Sequence, residues 1–90
     1  MRIARRYVVS GRVQGVGFRF FTHEAAAMEG IQGWVRNRAD GAVEIAAEGE
    51  AEAIERFERR IRTGPPHARV DAVDATDMPT RGHAAGFTVR

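Results

Sequence analysis

The chain has 90 residues, 43% of them hydrophobic, with 14 basic residues against 12 acidic ones and a formal net charge of +2; this length forms one core and one domain, spanning residues 1–90. It contains no cysteine, and all of its basic residues are arginine, which excludes disulfide frameworks, thiolate metal sites, cysteine nucleophiles, Schiff-base lysines and the lysine of a Walker loop. The small net charge gives no argument for nucleic acid, and no long apolar run follows Met1–Arg6, so neither a signal peptide nor a membrane span is expected and the protein is expected in the cytoplasm.

Tyr7–Val13, rich in valine with Gly11 as punctuation, predicts a first strand. Gly15 and Gly17 then interrupt the pattern. Phe18, Phe21, Ala25 and Met28 fall at helical spacing and Gly30 stands where a helix would stop, which predicts a helix of about three turns. Ile31–Asn37 alternates, as does Ala42–Glu48, with Val43, Ile45 and Ala47 on one face and Glu44, Ala46 and Glu48 on the other. Arg38–Gly41 between them reads as a turn, so the two form a hairpin.

Glu50–Arg62 predicts a second helix with Ile54, Phe57 and Ile61 on one face. Its pairs Glu52–Arg56, Glu55–Arg59 and Glu58–Arg62 stand one turn apart and read as a solvated structural face rather than a nucleic-acid site. Gly64-Pro65-Pro66 ends that helix, Ala68–Ala75 predicts a fourth strand broken by a bulge, and Phe87–Val89 a short last one. The order β-α-β-β-α-β predicts an α+β, ferredoxin-like split βαβ sandwich, an antiparallel sheet with both helices on one face. A chain this short buries only about 60–65% of its unfolded surface, so its active site is expected to be shallow.

The stretch Gly11-Arg12-Val13-Gln14-Gly15-Val16-Gly17-Phe18-Arg19 is the most informative. Glycines between a strand end and a helix start let backbone N–H groups turn toward one point, where the helix N-terminus adds about half a positive charge. Amides of Gln14, Gly15, Val16, Gly17 and Phe18 could hold some oxygens of a tetrahedral dianion while the planar fork of Arg19 holds two others. The spacing fits neither a Walker loop nor a dinucleotide fingerprint. In the second informative stretch, Gly33-Trp34-Val35-Arg36-Asn37-Arg38-Ala39-Asp40-Gly41, an asparagine ends a strand before a turn, where bonding to the local backbone is the ordinary reading.

The first of these stretches, extended to Val9-Ser10, resembles the first signature of the acylphosphatases. Gly33-Trp34-Val35-Arg36-Asn37 followed by Asp40-Gly41 and Val43-Glu44 resembles their second. The similarity continues through Gly64-Pro65-Pro66 and Ala68-Arg69-Val70 to Phe87-Thr88-Val89, and so covers nearly the whole chain. It implies a cytoplasmic, usually monomeric enzyme, free of metal and of any other cofactor, that hydrolyses acyl phosphates to a carboxylate and inorganic phosphate, with phosphate also a competitive inhibitor. By this resemblance Arg19 is the phosphate-binding arginine and Asn37 positions the attacking water. Two departures, Met28-Glu29-Gly30-Ile31 and the missing aromatic after the last strand, bear on stability and on anchoring of that strand.

The residue inventory agrees with such chemistry. Phosphoryl transfer is loose, so positioning and electrostatics do most of the work. The leaving carboxylate has a conjugate acid of pKa about 4 and needs no general acid. Gly11–Arg19 and Gly33–Asn37 contain no histidine or carboxylate, so a phosphate oxygen of the substrate is expected to take the water proton.

His23, His67 and His83 show no metal spacing and read as surface or packing residues. Ser10, the one serine, lacks an adjacent histidine and is no nucleophile. Trp34 reads as a half-buried strand aromatic. An RNA platform is a poor rival, since the stretches Val8, Ser10, Arg12 and Glu44, Ala46, Glu48 carry no aromatic. The stronger alternative is a non-catalytic or carbamoyl-phosphate-handling binding module on the same fold, and the absence of appended zinc or transferase segments favours a free-standing hydrolase over it.

Overall fold

The computed structural model describes residues 1–81 and 86–90. Its elements are β1 (Arg2–Arg12), α1 (Phe18–Glu29), β2 (Gln32–Asn37), β3 (Val43–Glu50), α2 (Ala51–Thr63), β4 (Arg69–Met78) and β5 (Phe87–Val89). Each predicted strand and helix is found, β5 with the predicted ends and the others with ends shifted. β1 begins at Arg2 rather than Tyr7 because Arg2 to Arg6 pair with Glu50 to Ala46 of β3, a partner that local pattern does not announce. The expected bulge lies on β4: Ser10 faces Ala72 and Gly11 faces Val70, which leaves Asp71 as the extra residue.

The strands form one sheet in the order β4-β1-β3-β2-β5. β3 is antiparallel to both β1 and β2, so β1 and β2 run parallel to each other and end at the same edge of the sheet. The expectation of a wholly antiparallel sheet fails at one pair, because β5 is parallel to β2. β4 returns antiparallel to β1 and ends at the far edge. β5 runs in the direction of β1 and β2.

The core lies between the helices and the sheet face that carries Tyr7, Val9, Val35, Val43 and Ile45, all fully buried. α2 contributes Ile54, Phe57 and Ile61 as predicted. On α1 the buried positions are Phe18, Thr22, Ala25 and Ala26, while Met28 is 66% exposed. Met28 instead receives a hydrogen bond from Arg60 of α2 on its sulfur, at 2.9 Å. Thr22 is tolerated in the core because its hydroxyl donates to the Phe18 carbonyl one turn earlier.

Of the three ion pairs read along α2, only Glu58–Arg62 forms within the helix; Arg56 crosses to Glu29 of α1. Glu58 also accepts from Arg5 and from the Tyr7 hydroxyl, each at 3.1 Å, and so pins α2 to β1. Burial in this cluster, followed by the adjacent Glu58 carboxylate, pushes the Tyr7 phenol well above its ordinary range. No helix among the described residues is long and apolar enough to cross a membrane.

The other sheet face carries no helix. There Glu44 and Glu48 stand on the central strand β3, 5% and 7% exposed. Arg6 of β1 and Arg36 of β2 grip Glu44 from both sides at 2.6 Å, and Arg2 holds Glu48 at 2.9 Å.

Burial alone would raise the Glu44 carboxyl, but bonds from Arg36 and Arg6 outweigh it and hold the group below the ordinary glutamate range. Glu58 is lowered in the same way, against burial, by Arg62, Tyr7 and Arg5. A carboxyl depressed on folding stabilises the fold above its unfolded pKa of about 4.3, and that contribution is lost as pH falls through the lower folded value. Thermal unfolding followed by circular dichroism is therefore expected to be nearly flat from neutral pH to about 5 and to drop steeply toward 3. Glu44→Gln should lose about 1–3 kcal/mol at neutral pH and show a shallower acid limb. A Glu44→Gln variant as stable and as acid-sensitive as the parent would contradict this account.

Candidate active site

The shared edge at which β1 and β2 end brings the two informative stretches together. Leaving β1, the chain buries Val13 and turns through Gln14–Gly17. Gly15 and Gly17 adopt φ of 74° and 80°, left-handed values that cost a side-chain-bearing residue about 1–2 kcal/mol. A Cβ on either glycine would meet nothing within 4 Å, so conformation, not crowding, demands glycine, and the space beside the loop is open. Gly17 is the N-cap of α1, with no side-chain cap bond and no acidic residue in the first turn. The N-terminal N–H groups thus keep their positive potential, and Arg19 adds a guanidinium to it.

The turn after β2 is closed by its own bonds. The Arg38 N–H donates to the Ala42 carbonyl at 2.8 Å and the Gly41 N–H to the Arg38 carbonyl at 3.2 Å. Asp40 accepts from the Ala42 N–H at 3.1 Å and from Arg38 at 2.7 Å. These two partners, the Ala42 N–H first, hold the Asp40 carboxyl below its ordinary range. The local backbone bonding that an asparagine before a turn ordinarily supplies is therefore done by Asp40. Asn37, half-buried on the helix-side face with Val35, makes no side-chain hydrogen bond among the described residues.

Gln14 joins the two stretches. Its side-chain amide donates to the carbonyls of Arg38, at 2.8 Å, and Ala42, at 3.0 Å. The side chain is thereby committed to the turn, and what Gln14 has left for an anion is its backbone. Arg19, in the first turn of α1, donates through Nη1 to the Arg90 carbonyl at 2.8 Å, a contact made possible by β5 running parallel to β2. Its remaining N–H groups are left for other acceptors.

Sequence reasoning singled out Arg19, Asn37 and the loop but did not anticipate Gln14 as a bridge, Asp40 as the lock of the turn or Arg90 as the brace of Arg19. An aspartate preceding Gly41 was the one local signal available; the other two contacts span 24 and 71 positions. His23 is exposed, its ring 6.2 Å from that of Phe87, His67 is exposed, and His83 lies outside the described residues. Ser10 is exposed and Trp34 half-buried, both on the sheet face away from the loop.

Residues 5–89 match the sequence profile of the acylphosphatase family. The chain is 55% identical over 87 residues to an acylphosphatase of Rhizorhabdus wittichii, covering 97% of this chain and 87% of that one. It superposes on the crystal structure of acylphosphatase from Bacillus subtilis with a TM-score of 0.93, at 39% identity and 98% coverage of both chains. It also superposes on part of HypF from T. kodakarensis, with a TM-score of 0.85 and 35% identity, over 98% of this chain and 12% of that one.

The Gln14 bridge has a measurable consequence. Gln14→Ala would leave the Arg38 and Ala42 carbonyls with one donor fewer each, and calorimetry should show a loss of about 1–2 kcal/mol. Inorganic phosphate should still bind within about threefold of the parent, since the side chain does not face the loop's open side. A Gln14→Ala protein of full stability but lost phosphate binding would mean that this side chain serves the anion and not the turn.

Proposed function

The chain belongs to the acylphosphatase family, and from that premise we propose how its residues divide the work of hydrolysing an acyl phosphate. The enzyme is an acylphosphatase, which cleaves a carboxyl phosphate to a carboxylate and inorganic phosphate. In our reading the phosphoryl group lies against the loop, its oxygens held by backbone N–H groups of Gln14, Gly15, Val16, Gly17 and Phe18 and by the fork of Arg19. The carboxamide of Asn37 orients the attacking water. The observation that carries this reading is the side chain of Asn37, which has no partner among the described residues in a turn whose local bonds are made by Asp40, Arg38 and Gln14.

The chemistry then balances with few groups. The water oxygen forms its bond to phosphorus as the bond from phosphorus to the acyl oxygen breaks, and the carboxylate leaves with the electron pair. The water proton passes to a phosphoryl oxygen, so carboxylate and dihydrogen phosphate are the products. The carboxylate is a weak base and leaves unprotonated. Charge on the phosphoryl oxygens is met by donors already in place before the substrate arrives, which is the economical form of electrostatic catalysis. A site that grips mainly the phosphoryl group leaves the acyl part in solvent and discriminates poorly among acyl chains. Inorganic phosphate, gripped by the same donors, competes with substrate. In this reading the enzyme works as a monomer in the cytoplasm and needs no metal or cofactor. The alternative of a binding module predicts phosphate affinity without turnover.

The two roles separate in kinetics with acetyl phosphate or benzoyl phosphate. Arg19→Ala should lose phosphate affinity and turnover together, and Arg19→Lys should recover little, since a point charge does not reproduce the fork. Asn37→Ala should keep near-normal competitive inhibition by phosphate while kcat falls by about two to three orders of magnitude. Substantial turnover in Asn37→Ala, or loss of phosphate affinity as severe as in Arg19→Ala, would remove the water-positioning role. A parent protein that binds phosphate and hydrolyses neither substrate would establish the binding module instead.

A further inference from the structure

On the sheet face away from the helices, and so opposite the phosphate loop, a cavity of about 490 Å³ opens between the strands and Pro79 and Arg81, just beyond β4. That size suits a small ligand. Its floor is made of the small residues Ala4, Gly33 and Ala46, and Trp34, Arg6, Arg81 and Arg90 stand around it.

The positive charge around this cavity is only partly paired. Arg6 and Arg36 share the single carboxylate of Glu44. Glu48 is engaged by Arg2 and by the main-chain N–H of Arg81. The guanidinium groups of Arg81 and Arg90 have no carboxylate partner among the described residues. Of the charged residues that line the cavity, Arg6 is paired with Glu44 and Glu48 with Arg2, which leaves the guanidinium groups of Arg81 and Arg90 to an incoming anion. Arg90 also lies over the Trp34 ring, its guanidinium carbon 4.5 Å from the centroid, so a flat cation is already stacked at the wall.

We propose that this cavity is a second anion site, separate from the catalytic loop, for a small planar ligand bearing a phosphate or carboxylate, of the nucleoside monophosphate class. The guanidinium groups take the anion, since their planar forks match phosphate and carboxylate oxygens. Trp34 and the stacked Arg90 take the ring. A single-stranded RNA is the less suitable occupant, because such platforms stack successive bases on several aromatics and Trp34 is the only aromatic on this face among the described residues.

Trp34 is the one tryptophan of the chain, so its fluorescence and its indole N–H resonance report the cavity directly. Adenosine 5′-monophosphate should change both saturably below about 10 mM. Adenosine, which lacks the anion, and ribose 5-phosphate, which lacks the ring, should each bind at least about tenfold more weakly. The double variant Arg81→Ala, Arg90→Ala alters two exposed side chains and keeps the Arg90 carbonyl that braces Arg19. It should weaken the nucleotide by at least about tenfold with the fold intact by circular dichroism. Arg19→Ala should leave nucleotide binding at the indole unchanged. No saturable response, an equal response to adenosine, loss of the response in Arg19→Ala, or tighter binding of a short single-stranded RNA than of the mononucleotide would each overturn the proposal.

Discussion

The candidate active site depends on β3 being antiparallel to β1 and to β2 at once. That pairing makes the two flanking strands, β1 and β2, parallel and brings their C-terminal ends to one edge of the sheet. The loop after β1 and the turn after β2 then lie side by side, although 24 positions separate the residues that touch. β5, parallel to β2, sends its own end to the same edge, where the Arg90 carbonyl meets Arg19. Three strand ends at one edge, with the N-terminus of α1 among them, concentrate backbone N–H groups and a guanidinium in a protein too small for a deep cleft.

The position of β3 has an electrostatic cost as well. As the central strand it buries Glu44 and Glu48 on a face that no helix covers, and a buried carboxylate is tolerated only with close partners. The flanking strands supply them, with Arg6 and Arg36 on Glu44 and Arg2 on Glu48. These contacts tie β1, β3 and β2 together through side chains as well as through the ladder. The same strands that align the candidate site are therefore cross-linked on their other face.

Economy of the site follows from the reaction. In the proposed mechanism, a substrate with a good leaving group and its own proton acceptor asks the protein for oriented donors and one positioned water. Donors on a backbone loop cannot be lost by side-chain rotation, and the turn that carries Asn37 is held by Asp40 and Gln14.

Much of this was legible in the sequence. The alternation in β2 and β3, the apolar stripe Ile54, Phe57, Ile61, the stop at Gly30 and the glycine loop ending in Arg19 are local patterns, and the forces behind them act over a few residues. The same locality explains the errors: Met28 has helical spacing but lies at the rim of the α1 stripe, and Arg56 chose Glu29 on another helix over Glu52 on its own. What only the tertiary structure decided were contacts between residues distant in the chain. These are the parallel addition of β5, the release of Asn37 from local bonding because Asp40 does that work, the bridge from Gln14, the Arg90 brace, and the gathering of arginines around Trp34. None of them has a period or a motif, because each is fixed by which strand edge was left to pair and by where that pairing set the loops.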